Sequence, residues 1–258
     1  MNKNRTALVT GASAGLGAEF ARQLARDGYR LVVVARRRPQ LELLATELQA
    51  AHGTECHILT ADLADPAAPQ DLYDGVKALG LTVDYLVNNA GLAGPDLLKD
   101  RHWQDHADFF QLMMTSVAQL CHLFVPGMRE RGFGRVINVG SVAGRIPRAG
   151  DCNYGPSKAY LIALSEALAV SLRGTGVNVC ALCPGFTHTD FHDTAGLQDM
   201  KASLPDWLWY PAEVVVAEGI RAVEKGKPVY LSGRLYRWFD PLFQSVWTRR
   251  LFRVRGRE

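Results

Sequence analysis

The chain has no uninterrupted apolar run that reaches the ~18 residues needed to cross a bilayer. An integral membrane protein is therefore not expected. Its N-terminus, MNKNRTALVTGAS, offers no apolar stretch of ~7–15 residues ahead of a small-residue cleavage site, so no secretory signal is expected either. Cysteine is sparse and odd in number: Cys56, Cys121, Cys152, Cys180 and Cys183. The spacing matches no zinc pattern, and the CxxC of Cys180 and Cys183 has no second pair. Free thiols in a reducing compartment, the cytoplasm, follow. No linker, repeat or low-complexity stretch interrupts residues 1–231. Net charge is also low, +3, and unevenly placed. Residues 232–258 hold seven arginines against Asp240 and Glu258, a net of +5 that leaves −2 on residues 1–231. A nearly neutral body argues against nucleic-acid binding.

What is present is a core-forming composition, 48% hydrophobic and 21% charged, which implies a packed domain rather than disorder. Short β-branched runs alternate with longer helical ones. Strands are expected at Ala7–Thr10, Arg30–Ala35, Cys56–Thr60, Tyr85–Val87, Arg135–Val139, Val177–Leu182 and Pro228–Leu231. Helices are expected between them, among them Leu16–Asp27, Trp103–Arg131, Tyr154–Arg173 and Pro211–Lys225. Strands such as RLVVVA are apolar throughout rather than alternating, so both faces are buried. Right-handed βαβ crossovers then give an α/β fold, a doubly wound parallel sheet with helices on both faces. Ligands of such sheets bind beyond the carboxyl ends of the strands.

Thr10-Gly11-Ala12-Ser13-Ala14-Gly15-Leu16-Gly17 joins the first strand to the first helix. Glycines let the backbone turn tightly and approach a ligand, and the helix N-terminus offers N–H groups to an anion. A dinucleotide pyrophosphate fits; the alternative is a plain strand-to-helix turn. No Gly-Lys-Ser/Thr is present, which excludes a P-loop. The second strand ends in Arg36-Arg37-Arg38 with no acid. An acid there would take the ribose hydroxyls of NAD, whereas arginine accommodates a 2′-phosphate. NADP(H) is expected, with Arg36 best placed to bind it, Arg38 at a solvated helix start, and Arg37 open to either role.

The segment NYGPSKAY puts Tyr154 four residues before Lys158, a phenol and an ammonium on one helical face. A neighbouring cation lowers a phenol's pKa toward the range where it can exchange protons. Together with the glycine turn, NNAG at 88–91, Ser141 after the fifth strand and Pro184-Gly185 after the sixth, this pair resembles the short-chain dehydrogenase/reductase family over residues 5–231. The resemblance implies a single-domain Rossmann-like fold, commonly a homodimer or homotetramer, that moves hydride between NADP(H) and a carbonyl or secondary alcohol. It implies that Gly11, Ser13, Gly15, Leu16 and Gly17 line the cofactor phosphates and adenosine, and that Asp62 and Leu63 flank the adenine. Asn89, Ala90 and Gly91 would support the adenosine side, and Pro184 and Gly185 would pass the nicotinamide. Thr189 would hold its carboxamide or phosphate, a task that Thr187 could share. Ser141 would hold the substrate oxygen and Tyr154 would act as general acid/base. Lys158 would tune Tyr154 and grip the nicotinamide ribose.

One position departs from the family. Where a helical asparagine usually holds a relay water, this chain has Met113, which donates nothing; Thr115 or Ser116 are the nearby substitutes. The departure opens a second reading, an NADP(H)-binding regulatory or scaffold protein with little turnover. The lid expected at 186–210 carries Phe186, Phe191, Leu197, Met200, Leu204, Trp207, Leu208 and Trp209, which suits a hydrophobic substrate or simple packing on the body. His102 with His106 and His188 with His192 have a spacing open to metal, but the family chemistry needs none. In the tail 232–258, Asp240-Pro241 resembles a helix start. Leu242, Phe243, Val246, Trp247, Leu251 and Val254 then share a broad face beside Arg249 and Arg253. Peripheral membrane contact, dimer contact and packing on the lid all stay open.

Overall fold

In the computed structural model, residues 5–187, 209–245 and 247–248 are described. Seven parallel strands form one sheet: β1 (Thr6–Thr10), β2 (Arg30–Ala35), β3 (Cys56–Thr60), β4 (Val83–Asn88), β5 (Gly134–Val139), β6 (Val177–Cys183) and β7 (Val229–Leu231), in the order β3-β2-β1-β4-β5-β6-β7. The strand order reverses between β1 and β4. That switch point opens a crevice at the carboxyl ends of the strands.

The continuous apolar strands are explained by the layers on either side. Ala7 and Val9 of β1, Leu31 and Val33 of β2 and Tyr85 and Val87 of β4 join one core cluster. It is closed by α1 (Gly15–Arg26), α2 (Arg38–His52) and α7 (Ala212–Glu224). The intervening Leu8, Val32, Val34 and Leu86 join the other cluster. There α3 (Ala68–Ala78), α5 (Ser116–Glu130) and α6 (Tyr154–Ser171) cover the sheet. Each fully buried leucine or valine contributes about 1.5–3 kcal/mol.

The long helix expected at Trp103–Arg131 is present as one continuous helix over Trp103–Glu130, widened by one turn. It consists of α4 (Trp103–Phe110), a π-helical turn at Gln111–Thr115 and then α5. The stretch Trp103–Glu130 is long and apolar enough to span a membrane by length and composition, but half of its most apolar window is buried inside the molecule. It serves here as a core helix.

The tail differs from expectation in its helix. α8 (Arg234–Gln244) begins directly after Gly233, with Pro241 inside it rather than at its start. The first turn is fixed from the body. Glu218 accepts hydrogen bonds from the Ser232 hydroxyl at 2.7 Å and from Arg237 at 3.2 Å, so the helix starts where β7 delivers the chain.

Candidate active site

The glycine turn crosses itself. Gly11 has φ +66°, and a Cβ on Gly17 would lie 2.2 Å from the Gly11 carbonyl oxygen and 2.5 Å from Asn89 Nδ2. Neither position tolerates a larger residue without moving backbone. Asn89 clamps the turn by donating from Nδ2 to the carbonyls of Thr10 (3.0 Å) and Gly11 (3.3 Å). The Thr10 hydroxyl accepts from the backbone N–H groups of Asn89 (2.9 Å) and Ala90 (3.0 Å). Asn89 and Ala90 thus shape the cradle. The helix it feeds, α1, has no side-chain cap and no acid in its first turn, so its dipole is available to an anion. The residues fit a dinucleotide pyrophosphate.

At the end of β2 the two arginines divide. Arg36 pairs with Asp62 at 3.5 Å, both side chains being exposed, and Leu63 beside it is buried. Arg37 is the one that reaches the glycine turn, donating from Nη2 to Ser13 Oγ at 3.0 Å. The sequence favoured Arg36 because it comes first after the strand. The side-chain direction at the entrance to α2 brings Arg37 to Ser13 as well.

Ser141, Tyr154 and Lys158 converge beyond β5 and at the start of α6. Ser141 Oγ accepts from Ala143 N at 3.1 Å, capping a short 3-10 turn, Val142–Gly144. The same hydroxyl hydrogen-bonds Tyr154. Burial pushes the Tyr154 phenol up to about 12, and the Ser141 bond is the leading influence in the other direction. That lowering was expected chiefly from Lys158. The Lys158 Nζ instead lies 5.5 Å from the Tyr154 ring centroid and donates to Val139 O at 2.8 Å. Lys158 is buried, and its desolvation lowers the ammonium from 10.5 to about 8. The phenol is thus neutral and the ammonium largely charged near neutral pH, a proton donor beside a fixed cation.

Pro184 O accepts from Val142 N at 3.0 Å, tying β6's exit to the serine turn. Gly185 lies under the Tyr236 ring of α8. Thr187 is buried, and its hydroxyl donates to Gly185 O at 3.1 Å. Thr189 lies outside the described residues, as do His188, His192, Phe191, Leu197, Met200, Leu204, Trp207 and Leu208. At the lid's ends Phe186 and Trp209 pack against each other with rings tilted by 41°, 5.3 Å between centroids, and Trp209 is buried.

Met113 is buried in the π-helical turn. A Cβ on Gly91 would lie 3.2 Å from its sulfur and 3.8 Å from Lys158 Nζ, so the thioether does stand beside the lysine. Neither hydroxyl takes its place. Ser116 is fully buried and donates to Leu112 O at 2.7 Å, and Thr115 is exposed.

Three supports escaped the sequence. Asn138 links Asn88 (2.8 Å) to Ser165 (2.9 Å) behind the site; its only signal was a polar residue within the apolar RVINV. His106 is buried and contacts Asn153, just before Tyr154, at 2.8 Å, and the Asp100 carbonyl at 3.0 Å. It tethers α6 and is not paired with His102, which contacts Asp105. Arg145, following the serine turn, lies 3.5 Å from Asp240 of α8.

The short chain dehydrogenase profile matches residues 5–199, well over half of the chain. The chain belongs to the short-chain dehydrogenase family. It is 38% identical over 190 residues to an uncharacterized oxidoreductase of Myxococcus xanthus, covering 74% of this chain and 75% of that one. It is 33% identical over 200 residues to the 3-oxoacyl-[acyl-carrier-protein] reductase of Escherichia coli, covering 76% and 78%. Among solved structures, a short-chain dehydrogenase from Sphingobium yanoikuyae in complex with NADPH superposes with a TM-score of 0.81 at 30% identity, covering 91% of each chain. The Rossmann-like single-domain fold of this oxidoreductase family is therefore that of the protein.

Proposed function

We propose that the protein is an NADP(H)-dependent carbonyl reductase, or secondary-alcohol dehydrogenase in reverse, acting on a hydrophobic small molecule or acyl substrate. The observation that carries this reading is the Tyr154 phenol held by the Ser141 hydroxyl beside the buried Lys158 ammonium. NADPH, when bound, supplies hydride from its nicotinamide ring. Ser141 orients the substrate oxygen, and Tyr154 donates its proton to that oxygen as negative charge develops there. The Lys158 charge, in a site of low polarity, opposes that developing negative charge and offsets the cost of a transient phenolate. Arg37 on Ser13 and Arg36 beside Asp62, with no acid at the end of β2, support the 2′-phosphate form of the cofactor. The NADPH-bound relative from Sphingobium yanoikuyae agrees with that choice. The apolar residues of 186–210 support an apolar substrate, and the five free cysteines support a reducing compartment.

Met113 favours a second reading, an NADP(H)-binding regulatory protein with little turnover, because a buried thioether stands where a relay needs a donor. The two readings separate in one assay: NADPH oxidation over a panel of apolar ketones, aldehydes and 3-oxoacyl thioesters, with Tyr154→Phe as control. Turnover abolished by the control supports the reductase. NADPH binding without turnover on any member supports the regulatory protein.

A further inference from the structure

His106 on α4 is a titratable side chain that the chemistry above does not use. It is 2% exposed, as is Asn153, the residue before Tyr154. Its Nε2 lies 3.0 Å from the Asp100 carbonyl oxygen, and its Nδ1 lies 2.8 Å from Asn153 Nδ2. These partners alone place the protons. Asn153 Nδ2 also donates to the Pro95 carbonyl at 2.8 Å. Flipping the amide would set its oxygen against that carbonyl, so the orientation is fixed even though it leaves Oδ1 buried without a partner among the described residues. Nδ1 must then accept from the amide, and Nε2 must carry the proton given to the Asp100 carbonyl. The ring is the neutral Nε2–H tautomer; a second proton, on Nδ1, would face the amide N–H. The carboxylates of the flanking segments are engaged elsewhere: Asp105 meets His102, and Asp100 and Asp151 accept from the backbone N–H groups of Asp96 and Gly155.

The segment pinned by these bonds, between β4 and α4, is a wall of the site. It passes Gly91, where a Cβ would lie 3.8 Å from Lys158 Nζ. Leu92 and Tyr154 then pack on the same core cluster. At Gly94 a Cβ would strike the Phe109 ring of α4 at 2.6 Å, so the chain lies close on that helix before it reaches Pro95. His106 and Asn153 therefore tie three elements at one buried point: α4, the wall and the start of α6. The Asn153 side of this clasp acts on Tyr154, its neighbour in the chain. The Asp100 side acts on the far end of the wall. We propose that His106 is a positioning residue: through Asn153 it holds the Tyr154 phenol in line with the substrate oxygen, and through Asp100 it holds the wall beside which the substrate lies. This role rests on the reductase reading proposed above. Its leverage comes from the short reach of proton transfer, since a displacement of about 1 Å at the reacting group costs about 100-fold in rate.

The test separates the two ring nitrogens. In His106→Gln the amide reaches as far as Nε2, so it can donate to the Asp100 carbonyl but cannot accept from Asn153. In His106→Asn the amide ends near Nδ1, so it can accept from Asn153 but falls short of Asp100. With a ketone that the parent reduces, His106→Gln should lower kcat about 10- to 100-fold while KM stays within about threefold. His106→Asn should raise KM about fivefold or more while kcat stays within about threefold. NADPH affinity should match the parent's in both, because the glycine turn is untouched. A role confined to stability would only lower the active fraction, reducing kcat alike in both variants and leaving KM alone. The protonation is read without turnover, by nitrogen NMR of the parent carrying isotope-labelled histidine near neutral pH, the His106 signals being those that His106→Asn loses. Nδ1 should be bare and Nε2 protonated. The proposal is overturned by variants that keep the parent's kcat and KM, by equal losses of kcat in both, or by a ring protonated on Nδ1. A parent that reduces no ketone would overturn the reductase reading itself, and the ring's protonation would then judge the clasp alone.

Discussion

Replacing Lys158 with methionine should make the protein more stable near neutral pH while disabling its site. The side chain is buried, and its ammonium is lowered from 10.5 to about 8 by desolvation. A folded-state pKa below the unfolded one means that the folded form resists the proton. Keeping that proton near neutral pH costs about 3 kcal/mol of folding free energy. The cost is fully present below about pH 8, fades as pH rises from about 8 to 10.5 and is gone above that window. Against it stands the 2.8 Å hydrogen bond to Val139 O, whose loss costs about 1–2 kcal/mol. Methionine retains most of the apolar stem. The balance predicts Lys158→Met more stable than the parent by about 1–2 kcal/mol near neutral pH, and less stable by about 1 kcal/mol above about pH 11, where only the lost hydrogen bond remains. Urea unfolding of both proteins at each pH reads the sign directly. A variant destabilised equally at both pH values would refute the reasoning, because it would show that Lys158 carries no burial cost in the folded state.

Gly17→Ala places a Cβ 2.2 Å from the Gly11 carbonyl oxygen. It should cost about 1–3 kcal/mol in thermal unfolding and weaken NADPH binding at least about tenfold; normal binding would show that the turn can relax. Arg37→Ala should weaken NADPH about 10- to 100-fold by removing a charge-assisted contact to the 2′-phosphate, while NADH affinity, read by fluorescence titration, stays within about twofold; equal losses for both cofactors would assign Arg37 to another role. Met113→Asn should raise kcat about tenfold or more with little change in KM if proton resupply limits turnover, and an unchanged kcat would remove Met113 as the bottleneck.

The parts of the site that could be read from the sequence are those whose members lie close along the chain. The glycine turn spans Thr10–Gly17 and the Tyr154–Lys158 pair spans one helical turn, so spacing alone places them. Supports formed between distant segments carried no such signal. Asn138 meets Ser165 across 27 residues, His106 meets Asn153 across 47, and Arg145 reaches Asp240 only once α8 folds back. Side-chain direction was equally hidden. Strand position favoured Arg36, whereas rotation at the entrance to α2 sends Arg37 to Ser13. The π-helical turn beside Met113 has no residue signature, since a single widened turn arises from packing on both sides. The attachment of α8 to the body needed Glu218 and Arg145, both distant in sequence, to become visible.

The central claim is that the site moves a hydride to a carbonyl carbon while Tyr154 supplies the proton. NADPH deuterated at the transferable position of nicotinamide C4, incubated with an accepted ketone, tests it most directly. Deuterium should appear on the carbinol carbon of the product with the parent protein, and no labelled alcohol should form with Tyr154→Phe. Alcohol formed without the label, or formed as fast by Tyr154→Phe, would contradict it.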